Sequence, residues 1–90
     1  MRTLLISYDV DRTRQRYRQL VDALRKEPHC WHYLDATWLV RTSISAEEMR
    51  DRLGRFVQGG DELLVIDVTG ADNAHLGFST KAGRWLEDHL

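Results

Sequence analysis

The chain has one cysteine, Cys30, and one proline, Pro28. A single cysteine excludes an intramolecular disulfide, so the fold is not a stapled scaffold, and nothing points to an oxidising compartment. With no proline-rich linker, low-complexity segment or repeat, nothing divides the 90 residues, and residues 1–90 read as one domain. No apolar run approaches the roughly 20 residues of a membrane-spanning helix. The first apolar run is also too short for a signal-peptide core. Cytoplasmic residence and no membrane partner are the resulting expectations. An excess of one charge sign is missing too. Thirteen Lys and Arg against 14 Asp and Glu leave a net charge of −1, which argues against an indiscriminate nucleic-acid binder.

The charge that is present is unevenly placed. Residues 1–60 hold 11 Lys and Arg against 8 Asp and Glu, whereas residues 61–90 hold 2 against 6. Local attraction to phosphate therefore survives the neutral balance. A hydrophobic content of 42% with 30% charged residues is that of a chain able to bury a modest core.

The pattern of apolar residues predicts the elements in turn. Thr3–Val10 alternates as a strand, with Leu4, Ile6 and Tyr8 on one side and Leu5, Ser7 and Asp9 on the other. Asp11 or Thr13 is placed to cap a following helix whose buried stripe is Tyr17, Leu20, Val21 and Leu24, and Pro28 ends it. The aromatic and β-branched stretch 30–42 is too long for one ordinary strand. It reads as Cys30–Leu34 and Ala36–Thr42 around a bend at Asp35, with a single long bent strand as the alternative. Ser45 with Glu48 makes a capping box, Ile44 with Met49 a hydrophobic staple, and Met49, Leu53 and Phe56 an apolar face ended by Gly59-Gly60. Glu62–Val68 is a further strand, 69–78 a loop, and Ser79 or Thr80 caps a last helix to His89, with Ala82, Trp85 and Leu86 facing inward.

Two strand–helix–strand units in series predict an α+β, ferredoxin-like βαββαβ sandwich with an additional C-terminal helix. The first and third strands are then central, with both main helices on one sheet face. The other face is expected to carry Leu5, Ser7 and Asp9 with neighbours such as Trp38 or Val40. Such an apolar open face predicts a homodimer packed sheet to sheet.

Chemistry concentrates where the first strand ends. Ile6-Ser7-Tyr8-Asp9-Val10 runs into an arginine-rich helix, and this resembles the CRISPR-associated protein 2 family and the related VapD-type toxin ribonucleases. The strand pair Trp31–Thr42, the capped helix Ser45–Phe56 and the strand Leu63–Val68 extend the resemblance over residues 2–68. It implies a dimer in which the Asp9 carboxylates, paired across a twofold axis, hold Mg²⁺ or Mn²⁺ for cleavage of RNA or DNA. Asp9 is thereby the candidate catalytic residue and metal ligand. Arg12, Arg14 and Arg16 are candidate nucleic-acid contacts by their location, since guanidinium forks suit phosphate. The helical 81–90 segment departs from the family, whose members usually end in a short docking strand, and this favours a stand-alone relative. Many members act only as scaffolds, so a non-catalytic dimeric interaction module is the competing expectation.

Each candidate has a plainer alternative. Asp11 serves as a helix cap, and the arginines as a solvated face paired to acids such as Asp22 or Glu27. His29, Cys30 and His32, with His75 distant, invite a zinc site, against a buried thiol and partly exposed imidazoles. Trp31, Tyr33 and Trp38 suit base stacking or, more commonly, core and dimer packing. Asp67 either approaches the same rim as Asp9 or marks the exposed end of its strand.

Overall fold

The computed structural model describes every residue from Met1 to Leu90. Its elements run β1 (Arg2–Asp9), α1 (Gln15–Arg25), β2 (Cys30–Leu34), β3 (Thr37–Thr42), α2 (Ala46–Gly54), β4 (Glu62–Asp67) and α3 (Thr80–His89). The four strands form one sheet in the order β2-β3-β1-β4, and every neighbouring pair is antiparallel. The protein is a small α+β domain with the expected element order and with β1 and β3 in the centre.

Alternation along β1 decides the layers. Leu4, Ile6 and Tyr8 enter a core with Leu20 and Leu24 of α1 and Met49 and Leu53 of α2. Each fully buried side chain of this size contributes roughly 1.5–3 kcal/mol relative to exposure, so this helix-covered face carries most of the stability. Trp38 and Val40 belong to it as well, because the register sets them opposite Ile6 and Leu4. The expectation that they face the other way is corrected. Trp38, Leu39 and Val40 are all apolar, so the local pattern offers either parity, and pairing with β1 selects one.

The other sheet face is only partly open. Trp31 and Leu39 meet Ala82 and Leu86 of α3, with Leu5, Val68 and Phe78 packed around them. The Trp31 Nε1 donates to the Ala82 carbonyl at 3.2 Å, so burying the indole leaves no orphaned donor. At the far end of α3, Arg41 donates to the His89 carbonyl at 3.0 Å and to the Thr3 hydroxyl at 2.9 Å. A cation at a helix C-terminus also complements the helix dipole. What α3 leaves uncovered is the strip along β4, where Leu64 and Ile66 are 53% and 44% exposed.

The helix ends show which local signals prevail. Ser45 Oγ accepts from the Glu48 amide at 3.1 Å, and Ser79 Oγ from the Ala82 amide at 3.2 Å. Glu48 does not complete a reciprocal box, because its carboxylate pairs with Arg52 one turn on, at 3.0 Å. Neither Asp11 nor Thr13 caps α1, whose N-cap is Arg14 with no side-chain cap bond. Asp11 instead closes the preceding turn: its Oδ1 accepts from the Thr13 amide at 3.0 Å and the Thr13 hydroxyl at 2.6 Å. Helix α2 stops at Gly54 rather than at Gly59-Gly60. Phe56 still reaches the core from just beyond the helix, and Gly60, at φ 89°, makes the turn into β4.

Candidate functional site

Asp9 is the last residue of β1, and its parity sends the side chain to the α3 side of the sheet. Antiparallel pairing sets Glu62, the first residue of β4, directly opposite. Opposed residues share a face, with Cβ atoms about 5 Å apart. Asp9 and Glu62 are thus two exposed carboxylates at one sheet rim, and neither has an ion-pair partner. They line a shallow crevice with Ser7, Tyr8, Leu63 and Leu64. Like charges set opposite each other on a sheet destabilise it, so the pair is better suited to a cation than to the fold.

Mg²⁺ and Mn²⁺ fit such a donor set. Both accept carboxylate oxygens, and Mg²⁺ commonly takes only one or two carboxylates while keeping several waters. No cluster of three or more His, Cys, Asp or Glu side chains within the chain is arranged to hold a metal. Glu62 was not anticipated from sequence; its only signal is its place at the start of a strand that must pair with β1.

Arg12 and Arg14 lie in the connection that leaves the Asp9 end of β1, and Arg16 in the first turn of α1, which packs on the sheet face opposite Asp9. Each is engaged within the chain. Arg12 forms an ion pair with Asp35 at 2.5 Å and lies 5.7 Å from the Tyr17 ring centroid. That hydrogen-bonded guanidinium holds the Asp35 carboxyl below the ordinary carboxylate value and raises the Arg12 pKa in turn. Arg14 donates to Gln58 Oε1 at 2.9 Å and sits 3.5 Å from both Asp11 and Asp61. Arg16 donates to the Arg55 carbonyl at 3.0 Å. Phosphate binding here would exchange these partners; the exposed Arg12–Asp35 pair is worth at most about 1 kcal/mol, whereas the Asp61 carboxylate is 6% exposed and would lose Arg14 from a buried position.

The remaining candidates separate. Asp67 stands opposite Leu4, at the other end of β4 from Glu62, so it does not approach the Asp9 rim. Its Oδ1 accepts from the Thr69 amide at 3.0 Å and hydroxyl at 2.6 Å, and these bonds lower its pKa. His32 stacks on Trp38 with centroids 3.8 Å apart and places Nε2 2.6 Å from the Asp35 carbonyl. His29 lies near His89, while His75 stacks on Phe78. Burial pushes the Cys30 thiol upward in pKa, away from the thiolate that would bind metal. Trp31 and Trp38 are packed in the two cores, at 7% and 1% exposure, and Tyr33 is left 46% exposed.

No family, no curated protein and no solved structure matches the chain. No helix is long and apolar enough to cross a membrane.

Proposed function

We propose that the protein is a homodimeric, Mg²⁺- or Mn²⁺-dependent phosphodiesterase acting on RNA or DNA, built on a ferredoxin-like fold. The observation that carries this reading is the Asp9–Glu62 pair, two cation-free carboxylates opposed at an exposed rim. The sheet order β2-β3-β1-β4 with α1 and α2 on one face supports the fold assignment. The exposed Leu64 and Ile66, next to Ser7 on the face that α3 leaves bare, support a dimer through this strip. Packing two such strips would bring two carboxylate pairs toward one twofold axis. A metal held there supplies charge neutralisation on the scissile phosphate and an activated water. Asp9 and Glu62 orient it, while Arg12, Arg14 and Arg16 steer the polyanion toward that end of the sheet. The single unpaired cysteine is compatible with a reducing, cytoplasmic setting.

The test is cleavage of single-stranded RNA and DNA by purified protein with Mg²⁺ or Mn²⁺. The expected result is metal-dependent cutting that Asp9→Ala abolishes while leaving the dimer intact. Equal activity in wild type and variant would mark a contaminant and overturn the catalytic assignment. A second reading, a non-catalytic dimeric interaction module, is favoured by the intramolecular pairing of Arg12, Arg14 and Arg16. Dimerisation without metal-dependent cutting would select it.

A further inference from the structure

The connection from β4 to α3 has no regular structure and crosses the sheet face that carries Asp9. Beneath it lies a cavity of about 280 Å³, with Leu5, Leu39 and Val68 among its apolar lining residues and Trp31 and Phe78 as aromatic ones. That volume is just under the usual lower bound for ligand pockets, roughly 300 Å³, and suits one flat ring system. The aromatic side is held in place: Phe78 lies 5.8 Å from Trp31 and 4.9 Å from Tyr33 between ring centroids, and His75 stacks on it.

Two features give this apolar space a polarity and a direction. Asp72 and Asn73 also line it. The Asn73 amide is already committed to the Ala71 carbonyl at 2.9 Å, whereas the Asp72 carboxylate is exposed and makes no ion pair or hydrogen bond within the chain. An unoccupied carboxylate at an apolar cavity accepts two parallel N–H donors. Direction comes from the sheet. Thr37 lines the cavity and pairs with Ser7, which lines the Asp9–Glu62 crevice. Both lie on one face, and Ser7 precedes Asp9 by two strand residues, about 7 Å. A ring in the cavity thus has its sugar-phosphate within reach of the carboxylate rim.

We infer that this cavity is a nucleobase pocket selective for guanine, which sets the base preference of the phosphodiesterase reading on which it rests. The ring packs against the apolar and aromatic lining, and the Asp72 carboxylate accepts from the guanine N1–H and its exocyclic amine. Adenine presents no such adjacent donor pair, and cytosine offers only its amine together with acceptors.

Binding of guanosine, measured by calorimetry in EDTA so that neither metal nor phosphate contributes, tests the inference apart from catalysis. Saturable binding is expected, weaker by about tenfold or more for adenosine and cytidine. Asp72→Asn should cost a similar factor, the scale for losing hydrogen bonds to a charged group. Because Asp72 is exposed, this variant should keep the wild-type melting temperature. Ala74→Trp, which fills the cavity from the connecting segment, should abolish binding. No saturable binding, equal affinity for the three nucleosides, or indifference to Asp72→Asn would overturn the pocket. Guanine-selective binding without any metal-dependent cleavage would leave the pocket standing and remove only the phosphodiesterase reading.

Discussion

Trp38 on β3 donates its only side-chain N–H to the hydroxyl of Tyr8 on β1, at 3.0 Å, inside the helix-covered core. This bond stitches the two central strands through side chains as well as backbone. It also explains why a tyrosine occupies a core position: with phenylalanine there, the indole donor would be buried without a partner.

Tyr8→Phe is therefore expected to destabilise the domain by about 1–3 kcal/mol, despite its small volume change. In a chain of this size each kcal/mol lowers the melting temperature by roughly 4–8 °C. Burial also raises the Tyr8 pKa above its ordinary 10.0. The folded state then holds the proton more tightly than the unfolded one. Its stability contribution is complete below pH 10 and is lost as pH rises through the higher folded value. Ultraviolet titration should show a late-ionising phenol in wild type that is missing from the variant. Titration of every wild-type tyrosine at the ordinary value would contradict this.

The opposed carboxylates at the rim predict a trade between stability and metal binding. Without divalent metal, Asp9→Asn and Glu62→Gln should each raise stability, by up to about 1 kcal/mol, by removing like-charge repulsion. Mn²⁺ should raise the wild-type melting temperature in a concentration-dependent way, since a ligand bound only to the folded state stabilises it by mass action. Both variants should lose that response. A metal-induced shift that persists in both would place the ion elsewhere.

Leu64→Lys and Ile66→Lys address the dimer. Both side chains are about half exposed on the strip beside α3, so a lysine can leave its ammonium in water at little cost to the fold. Two facing strips would meet like charges at their centre. Light scattering is expected to report a dimer for wild type and a monomer for either variant, with circular dichroism unchanged. A wild-type monomer at all concentrations would remove the shared-site geometry.

How much of this was legible in the chain depends on whether the information is local. The alternation of Leu4, Ile6 and Tyr8 and the cap at Ser45 each predict their element, because period and capping chemistry act within a few residues. The face of Trp38 was not legible, since β3 is apolar on both parities and only its register with β1 decides. The end of α2 misled for a related reason. Gly59-Gly60 has the chemistry of a helix stop, but Gly54, itself a weak helix former, comes first. Asp9 stands out in sequence as a strand-terminal carboxylate, and the structure places it at the end of β1. Glu62 does not stand out, because its place opposite Asp9 comes from pairing between distant segments, which no local pattern records.

Acid sensitivity should trace to three exposed carboxylates. Hydrogen bonds from Thr13 to Asp11, from Arg12 to Asp35 and from Thr69 to Asp67 hold each below the usual 3.8. A depressed folded pKa adds stability that is present above the unfolded value and lost as pH falls through the folded one. These groups should therefore contribute fully at pH 5 and progressively less below about pH 4. Asp35→Asn should flatten the acid limb of a stability–pH curve measured by urea denaturation. High salt should shrink the difference, because the Arg12 pair is exposed to screening.

Gly83 sits in α3 where a helix gains about 1 kcal/mol from alanine, yet a Cβ there would lie 2.9 Å from the His75 ring. The two effects act on different parts of the molecule. Helix propensity acts on the global transition, whereas the clash falls on the exposed His75 ring of the irregular connection, which can turn off its stack and leave Phe78 in place. Gly83→Ala should thus leave the melting temperature unchanged or higher. The 70–78 segment, held by few hydrogen bonds and turned by Gly70 and Gly77 at φ 69° and 81°, should become easier to open. Hydrogen exchange should show faster exchange across residues 71–78 and unchanged protection in β1 and β3. A fall in global stability without local loosening would mean that His75 is fixed as firmly as the core.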